Sequence, residues 1–285
     1  MNKINAYIEL TKPRINVLVL VTTVLGFYLA GKSFKHLDIL LWTLLGSALS
    51  CAGAAVLNQY LERDADAMMK RTQHRPLPEG IIQPFEALNF GIVLVLAGVA
   101  LLCWKVNLLT AFLSLLTCFL YVLVYTPMKK MSWLNTTIGA IPGAIPPLGG
   151  WAAATNGLDL GGLALFLILF AWQHPHFYAI AWMLKDDYKR AGFKMLPVVY
   201  PDGRMTFAQI MAFSFALIGF SILPSMIGLS GKVYFFGAIA IGMIPLYTGW
   251  LFCREQSNTN ARNVLLASVV YLPLLLGVII LDGIL

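Results

Sequence analysis

Charge is what this 285-residue sequence has least of. Its 13 acidic and 20 basic residues make up only 12% of the chain, against 59% hydrophobic residues, and the mean hydropathy is +0.77. One soluble core of this size cannot hide so many apolar side chains, which excludes an ordinary soluble protein and leaves the bilayer as the solvent. Cysteine is also scarce. Cys51, Cys103, Cys118 and Cys253 lie in or beside apolar stretches with no close pair, so neither a disulfide framework nor a cysteine zinc site is indicated. The first 14 residues carry Lys3, Glu9, Lys12 and Arg14, and no small-residue cleavage site follows. The first apolar stretch is therefore expected to be retained, not removed as a signal or transit peptide.

Charge-poor stretches of the length that crosses a hydrocarbon core as helix, roughly 17–25 residues, fall at 15–31, 38–60, 87–104, 106–126, 132–154, 160–184, 206–228, 233–252 and 263–281. These are too long and too uniformly apolar for barrel strands. The expected fold is all-α, an integral membrane bundle of nine helices. With the N-terminus inside, 16 of the 20 basic residues fall in cytoplasmic segments, and only Lys32, Lys35, Lys105 and Lys232 fall outside. Because basic residues are retained on the cytoplasmic side, the net charge of +7 records topology and not nucleic-acid affinity.

Two cytoplasmic connections are long, 61–86 and 185–205, and eight of the 13 acidic residues lie in them: Glu62, Asp64, Asp66, Glu79, Glu86, Asp186, Asp187 and Asp202. Topological anchoring needs Lys and Arg but gives no reason for clustered acids. The two connections follow helices four spans apart, as two similar four-helix halves (1–131 and 132–252) plus a ninth helix (263–281) would produce. The segment from Lys70 to Pro78 and that from Lys189 to Pro197 share K-R-x3-[R/K]-x-L-P.

Asn58, Glu62 and Asp66 stand at i, i+4 and i+8, one stripe of oxygen ligands if the second helix continues past the membrane surface. Two carboxylates and an amide suit Mg2+, which is commonly held by one or two carboxylates together with substrate phosphate oxygens. Lys70, Arg71 and Arg75 follow with donors that phosphate oxygens accept. The sixth span carries Trp172, Gln173, His174, Pro175 and His176 near its middle, and Lys185, Asp186, Asp187, Lys189 and Arg190 at its cytoplasmic end. Polar groups at membrane depth are costly enough to mark a site. The 11 residues from His176 to Asp187 span about 16 Å of helix, which puts a buried acceptor beneath a phosphate site.

The segment NQYLERDADAMMKRTQHRPLP, Asn58 to Pro78, resembles the first signature of the UbiA-type intramembrane prenyltransferases, N-x3-D-x3-D followed by R-T-x2-R-P-L, with Glu62 in place of the first aspartate. WQHPHFYAIAW and KDDYKRAGFKMLPV resemble the second signature as it occurs in the heme O synthase branch, although Met183 stands four positions before Asp187 and the wider family's D-x3-D is absent. The resemblance covers nearly the whole chain. It implies Mg2+-dependent farnesyl transfer from farnesyl diphosphate to the vinyl group of protoheme, with heme as substrate and not as resident cofactor. It also implies a bacterial plasma membrane location among membrane lipid, no nucleic-acid partner, and a downstream heme-modifying enzyme or terminal oxidase assembly.

On this reading Asn58, Glu62, Asp66 and Asp187 hold the metal, and Arg71, Arg75 and Asp186 complete the catalytic set. Lys70, Lys185, Lys189, Arg190, Gln173, His174 and His176 contact substrates, and Tyr125, Trp172 and Trp182 face an allylic cation. A prenyltransferase acting on a quinone precursor and a transporter using the Pro- and Gly-rich fifth span remain alternatives at this point. Reporter fusions after Gln83 and after Pro201 are both expected to report cytoplasm. An outer-side signal from either would overturn the span assignment.

Overall fold

The structure is a computed structural model that describes residues 2–31 and 36–284. Lys32 and Lys35, assigned above to the outer side, lie outside the described residues. Among the described residues every regular element is helical. The chain begins with a short helix α1 (Lys3–Leu10), followed by α2 (Pro13–Gly31), α3 (Leu37–Met68) and α4 (Pro84–Lys105). The fourth span is composite: α5 (Leu108–Phe119), a π-helical stretch (Leu120–Tyr125) and α6 (Thr126–Met131). Then come α7 (Asn135–Thr155), α8 (Leu160–Met183), α9 (Lys185–Arg190), α10 (Leu196–Val199), α11 (Arg204–Ser221), α12 (Leu223–Met226), α13 (Lys232–Arg254) and α14 (Asn258–Ile284).

Eight of these segments, counting α1 with α2 and the composite fourth span as one each, are long and apolar enough to cross a membrane. The fifth expected span, α7, is the exception. It has 21 residues with Pro142, Pro146 and Pro147 inside it, and each proline withholds one helical N–H. Such a helix survives in a membrane when neighbours shield it, and α7 is shielded: Ala140, Ala144 and Ala152 have no exposed surface. Against α2 the approach is backbone to backbone. A Cβ on Gly26 would strike the Pro147 carbonyl, and one on Gly150 would strike the Thr23 carbonyl. The nine-helix expectation thus resolves into eight apolar spans around one Pro-rich inner helix.

Two departures from simple spans matter for function. The 32 residues of α3 reach about 48 Å at 1.5 Å per residue, well beyond a hydrocarbon core of about 30 Å, so the last turns project past it. In the fourth span, Pro127 follows the π-helical stretch and cannot donate to the turn before it. The Tyr121 carbonyl in this wide turn accepts both the backbone N–H of Thr126 and its Oγ1, the latter at 2.9 Å. The two long connections also meet. Ala65 and Met69 at the end of α3 pack with Ala181 of α8 and with Ala191, Phe193 and Met195 of the second connection.

Gly150→Leu is expected to cost about 1–3 kcal/mol through overpacking, read as a lower thermal unfolding midpoint in detergent. Gly219→Ala, with open space around its Cβ, should leave the midpoint unchanged.

Candidate active site

The stripe on α3 forms as expected, but it faces inward. Asn58, Glu62 and Asp66 are only 1%, 6% and 1% exposed. Burying carboxylates is costly unless each is paired, and each has its own cation. Lys129 Nζ lies 2.7 Å from Glu62 Oε1, and Arg75 Nη1 lies 2.7 Å from Asp66 Oδ2. Arg75 can reach because the chain after α3 folds back: Thr72 Oγ1 donates to the Asp66 carbonyl at 2.8 Å. Asp66 Oδ1 is buried with no hydrogen-bond partner. Among the described residues no group of three or more His, Cys, Asp or Glu could by itself hold a metal. The residues therefore fit a hard cation that takes one or two carboxylates here and its remaining oxygens from a substrate.

Asn58 is engaged differently from the expected ligand role. Its Oδ1 accepts from Lys12 Nζ at 2.9 Å, and its Nδ2 donates to Thr126 Oγ1 at 2.9 Å. Lys12 sits at the joint between α1 and α2 with φ +48°, a left-handed conformation that costs a residue with a Cβ about 1–2 kcal/mol. The joint is pinned by Gln59 Nε2, which donates to the Leu10 carbonyl at 2.9 Å. Glu62, Asp66, Arg75 and Lys129 are the charged neighbours of Lys12, so three cations surround two carboxylates.

Aromatic rings wall this cluster. Tyr121 and Tyr125 stack with centroids 5.7 Å apart, and Lys129 Nζ lies 4.8 Å from the Tyr125 ring and 5.4 Å from the Phe193 ring. The second connection is fastened alongside: Lys194 N donates to the Lys129 carbonyl at 2.6 Å, and Asn135 Nδ2 donates to the Lys194 carbonyl at 3.0 Å. Tyr125 is thus part of the wall around the carboxylate pair. Lys12, Lys129, Tyr121 and Phe193 join it without having been singled out from sequence. The lysines had been read only as topological charges, although Lys129 follows Tyr125 by four residues and shares its helical face.

Other expected residues are placed elsewhere. Lys70, Arg71, Asp186, Lys189 and Arg190 are exposed, and Asp187 pairs with Arg190 within α9, so no direct bond ties them to the carboxylate pair. Lys185 Nζ lies 4.4 Å from the Trp182 ring. Trp182 itself packs edge-on to Phe252 at 5.2 Å in a cluster with Leu196 and Ile210. Trp172 is tied to α14, its indole Nε1 donating to the Ser268 carbonyl at 2.6 Å. Gln173 joins α8 to α7, donating to the Ala140 carbonyl at 3.0 Å.

The two histidines of α8 differ sharply. His174 is fully buried, stacked on Phe213, with Nδ1 2.8 Å from the Phe170 carbonyl and Nε2 3.2 Å from Thr137 Oγ1. A carbonyl only accepts, so Nδ1 carries the proton and both nitrogens are satisfied. In this arrangement His174 holds α8 against α7 and α11. His176 is half-buried and points toward α14, its Nδ1 2.9 Å from Ser268 Oγ. The Ser268 hydroxyl proton goes to the Leu265 carbonyl at 2.6 Å. Ser268 Oγ must therefore accept from His176 Nδ1, which leaves Nε2 with its lone pair and no hydrogen-bond partner among the described residues.

An all-helical membrane bundle carrying a buried carboxylate pair, surplus cations and an aromatic wall at one end defines a membrane-embedded enzyme that handles an anionic substrate with an apolar tail. Residues 19–272 match the UbiA prenyltransferase family. The chain is 47% identical to a protoheme IX farnesyltransferase of Solibacter usitatus, over 97% of this chain and 98% of that one. It is 45% identical to the protoheme IX farnesyltransferase of Salinibacter ruber, with the same coverage. Among solved structures, a digeranylgeranylglyceryl phosphate synthase matches with TM-score 0.84 at 19% identity, covering 100% of this chain and 99% of that one. A UbiA homolog from Archaeoglobus fulgidus bound to GPP and Mg2+ matches with TM-score 0.67 at 16% identity, covering 96% and 99%. The chain belongs to the UbiA prenyltransferase family.

Proposed function

We propose that this chain transfers a farnesyl group from farnesyl diphosphate to a vinyl group of protoheme, giving heme O and diphosphate. The observation that carries the reading is the buried pair Glu62 and Asp66, each held by a cation beside an aromatic wall. Near full-length similarity to protoheme IX farnesyltransferases at up to 47% identity supports the substrates. In balance, the bond from farnesyl C1 to the diphosphate oxygen breaks, C1 bonds the terminal vinyl carbon, water adds to the inner vinyl carbon, and one proton leaves.

A divalent cation, Mg2+ on this reading, would be held by Glu62 and Asp66 with Asn58 and would neutralise charge building on the departing diphosphate. Lys129 and Arg75 would release the carboxylates to the cation and turn their own donors onto phosphate oxygens. Arg71, Lys70, Lys189 and Arg190 add positive charge at the mouth, where Asp186 and Asp187 are also placed. Tyr125, Tyr121 and Phe193 present π faces to the allylic cation, and the membrane interior limits its loss to water. His176, through its unshared Nε2 lone pair, is the residue assigned to the heme iron. The cluster end of the bundle is assigned to the cytoplasmic side of a bacterial plasma membrane, with the C-terminus outside, on the strength of the basic-residue asymmetry.

Purified protein given protoheme, Mg2+ and farnesyl diphosphate should yield a product with the mass of heme O. Prenylation of an aromatic quinone precursor instead would favour the alternative acceptor. Glu62→Gln and Asp66→Asn are each expected to reduce turnover at least about 100-fold in a folded protein, since each removes charge from the metal site. Near-normal turnover at saturating Mg2+ would take that residue out of the site.

The histidines should separate cleanly. His176→Ala is expected to raise the KM for heme while leaving diphosphate affinity unchanged. His174→Ala should lower stability by about 2–4 kcal/mol through lost packing and hydrogen bonds, and should affect both substrates together. Heme titration by absorbance in detergent checks the first, and thermal unfolding the second.

A further inference from the structure

Lys12 is the one cation of the cluster without a carboxylate of its own. Among the described residues it forms no ion pair within 4.0 Å, and its ammonium rests on the neutral amide oxygen of Asn58. Glu62 and Asp66, both near it, are already taken by Lys129 and Arg75. An ammonium has three donors, and a neutral acceptor is the weaker partner for it. Yet the chain holds it there through a left-handed backbone at φ +48°, where glycine or asparagine is the usual occupant. A lysine serving only to anchor the first span at the membrane surface would have no need of that backbone, or of a bond to a residue 46 positions away. The arrangement has the charge balance of a site waiting for an anion.

Asn58 adds a second constraint. An ammonium and a divalent cation repel, so they cannot share its one amide oxygen in a place this poor in water. If Asn58 is to meet the metal, Lys12 must leave first. Resting on the assignment of the donor diphosphate to this end of the bundle, we propose that Lys12 is a third cation of the donor site. Its ammonium passes from Asn58 Oδ1 to a phosphate oxygen of the allylic diphosphate as the donor enters, and this frees Asn58 Oδ1 for the divalent cation. No bond to carbon is made or broken in this exchange. It also gives α1 a role, since the packing of Ala6 and Leu10 against Val56, Leu77 and Ile82 fixes the joint from which Lys12 reaches in.

The test uses the full chain in detergent, titrated with farnesyl thiodiphosphate, an analogue that leaves slowly, with inorganic diphosphate, and separately with Mg2+ alone. Lys12→Gln should weaken binding of both diphosphate probes about tenfold or more, the loss of one charge-assisted hydrogen bond. Its affinity for Mg2+ without donor should be unchanged or tighter, because Asn58 is no longer covered, and the KM for heme should stay at the wild-type value. Lys12→Arg should return the probes to within about threefold of wild type, since a guanidinium also serves phosphate.

Diphosphate binding by Lys12→Gln equal to wild type overturns the proposal. So does weaker Mg2+ binding with unchanged diphosphate binding, which would make Lys12 a residue that merely positions Asn58. Should Lys12→Gln lose its helical circular dichroism, Lys12→Arg decides alone: retained probe affinity supports the phosphate contact, and loss of it overturns the proposal. A wild-type chain that binds neither probe would sink the donor site itself, whereas wild-type binding with no effect at Lys12 sinks this inference only.

Discussion

Two carboxylates with almost no exposed surface, at the end of a helix in a protein that is 12% charged, set the terms for everything around them. An unpaired buried carboxylate would neutralise itself or unfold its surroundings, so Glu62 and Asp66 require cations delivered from other parts of the chain. Lys129 arrives from the end of the fourth span, Arg75 from the first long connection, and Lys12 from the start of α2. Each delivery depends on a local irregularity: a π-helical turn, a chain reversal tied to the Asp66 carbonyl, and a left-handed lysine. A buried ion pair is weak evidence for stability, because desolvation offsets most of the attraction. Three such irregularities, each with its own conformational cost, make sense as preparation for a ligand more than as reinforcement of a bundle.

The second half of the molecule works from the opposite direction. Its acids and bases, Asp186, Asp187, Lys189 and Arg190, either pair locally or stand exposed, while its polar groups at membrane depth are spent on holding helices together. Gln173 ties α8 to α7, His174 to Thr137, and Trp172 to α14. Such bonds are the usual way helices associate where no hydrophobic gain separates lipid from protein. They hold α7, the prolines of which would be untenable facing lipid, in the interior. The second connection lies across the end of α3 and closes the aromatic wall over Lys129.

Much of this was legible in the sequence, and the reasons for the rest are physical. Long apolar runs located the helices because the bilayer imposes its thickness on them. The i, i+4, i+8 spacing of Asn58, Glu62 and Asp66 predicted a single stripe because helical geometry admits no other arrangement. Lys12 and Lys129 escaped notice because a basic residue at a cytoplasmic helix end is already explained by topology. Only the three-dimensional approach of α2, α3 and α6 gives them a second role. For the histidines, depth was readable but direction was not. His174 and His176 are two residues apart and so face different neighbours, one sealed between α7 and α11, the other turned to α14.

That difference in direction also bears on how one enzyme can join two largely apolar groups while releasing a water-soluble leaving group. The charged cluster lies at the last turns of α3, while His176 sits on α8, about two helical turns before that helix ends at Met183. A donor anchored by its diphosphate at the cluster would extend its isoprenoid chain past Tyr125 and Tyr121 into the apolar interior. A flat acceptor held by a ring nitrogen on α8 would meet it from the membrane side. On the function proposed above, two separate anchors would let each be tuned by its own surroundings, ion pairs for one and a single serine-oriented imidazole for the other. The allylic carbon would then lie between them, away from water.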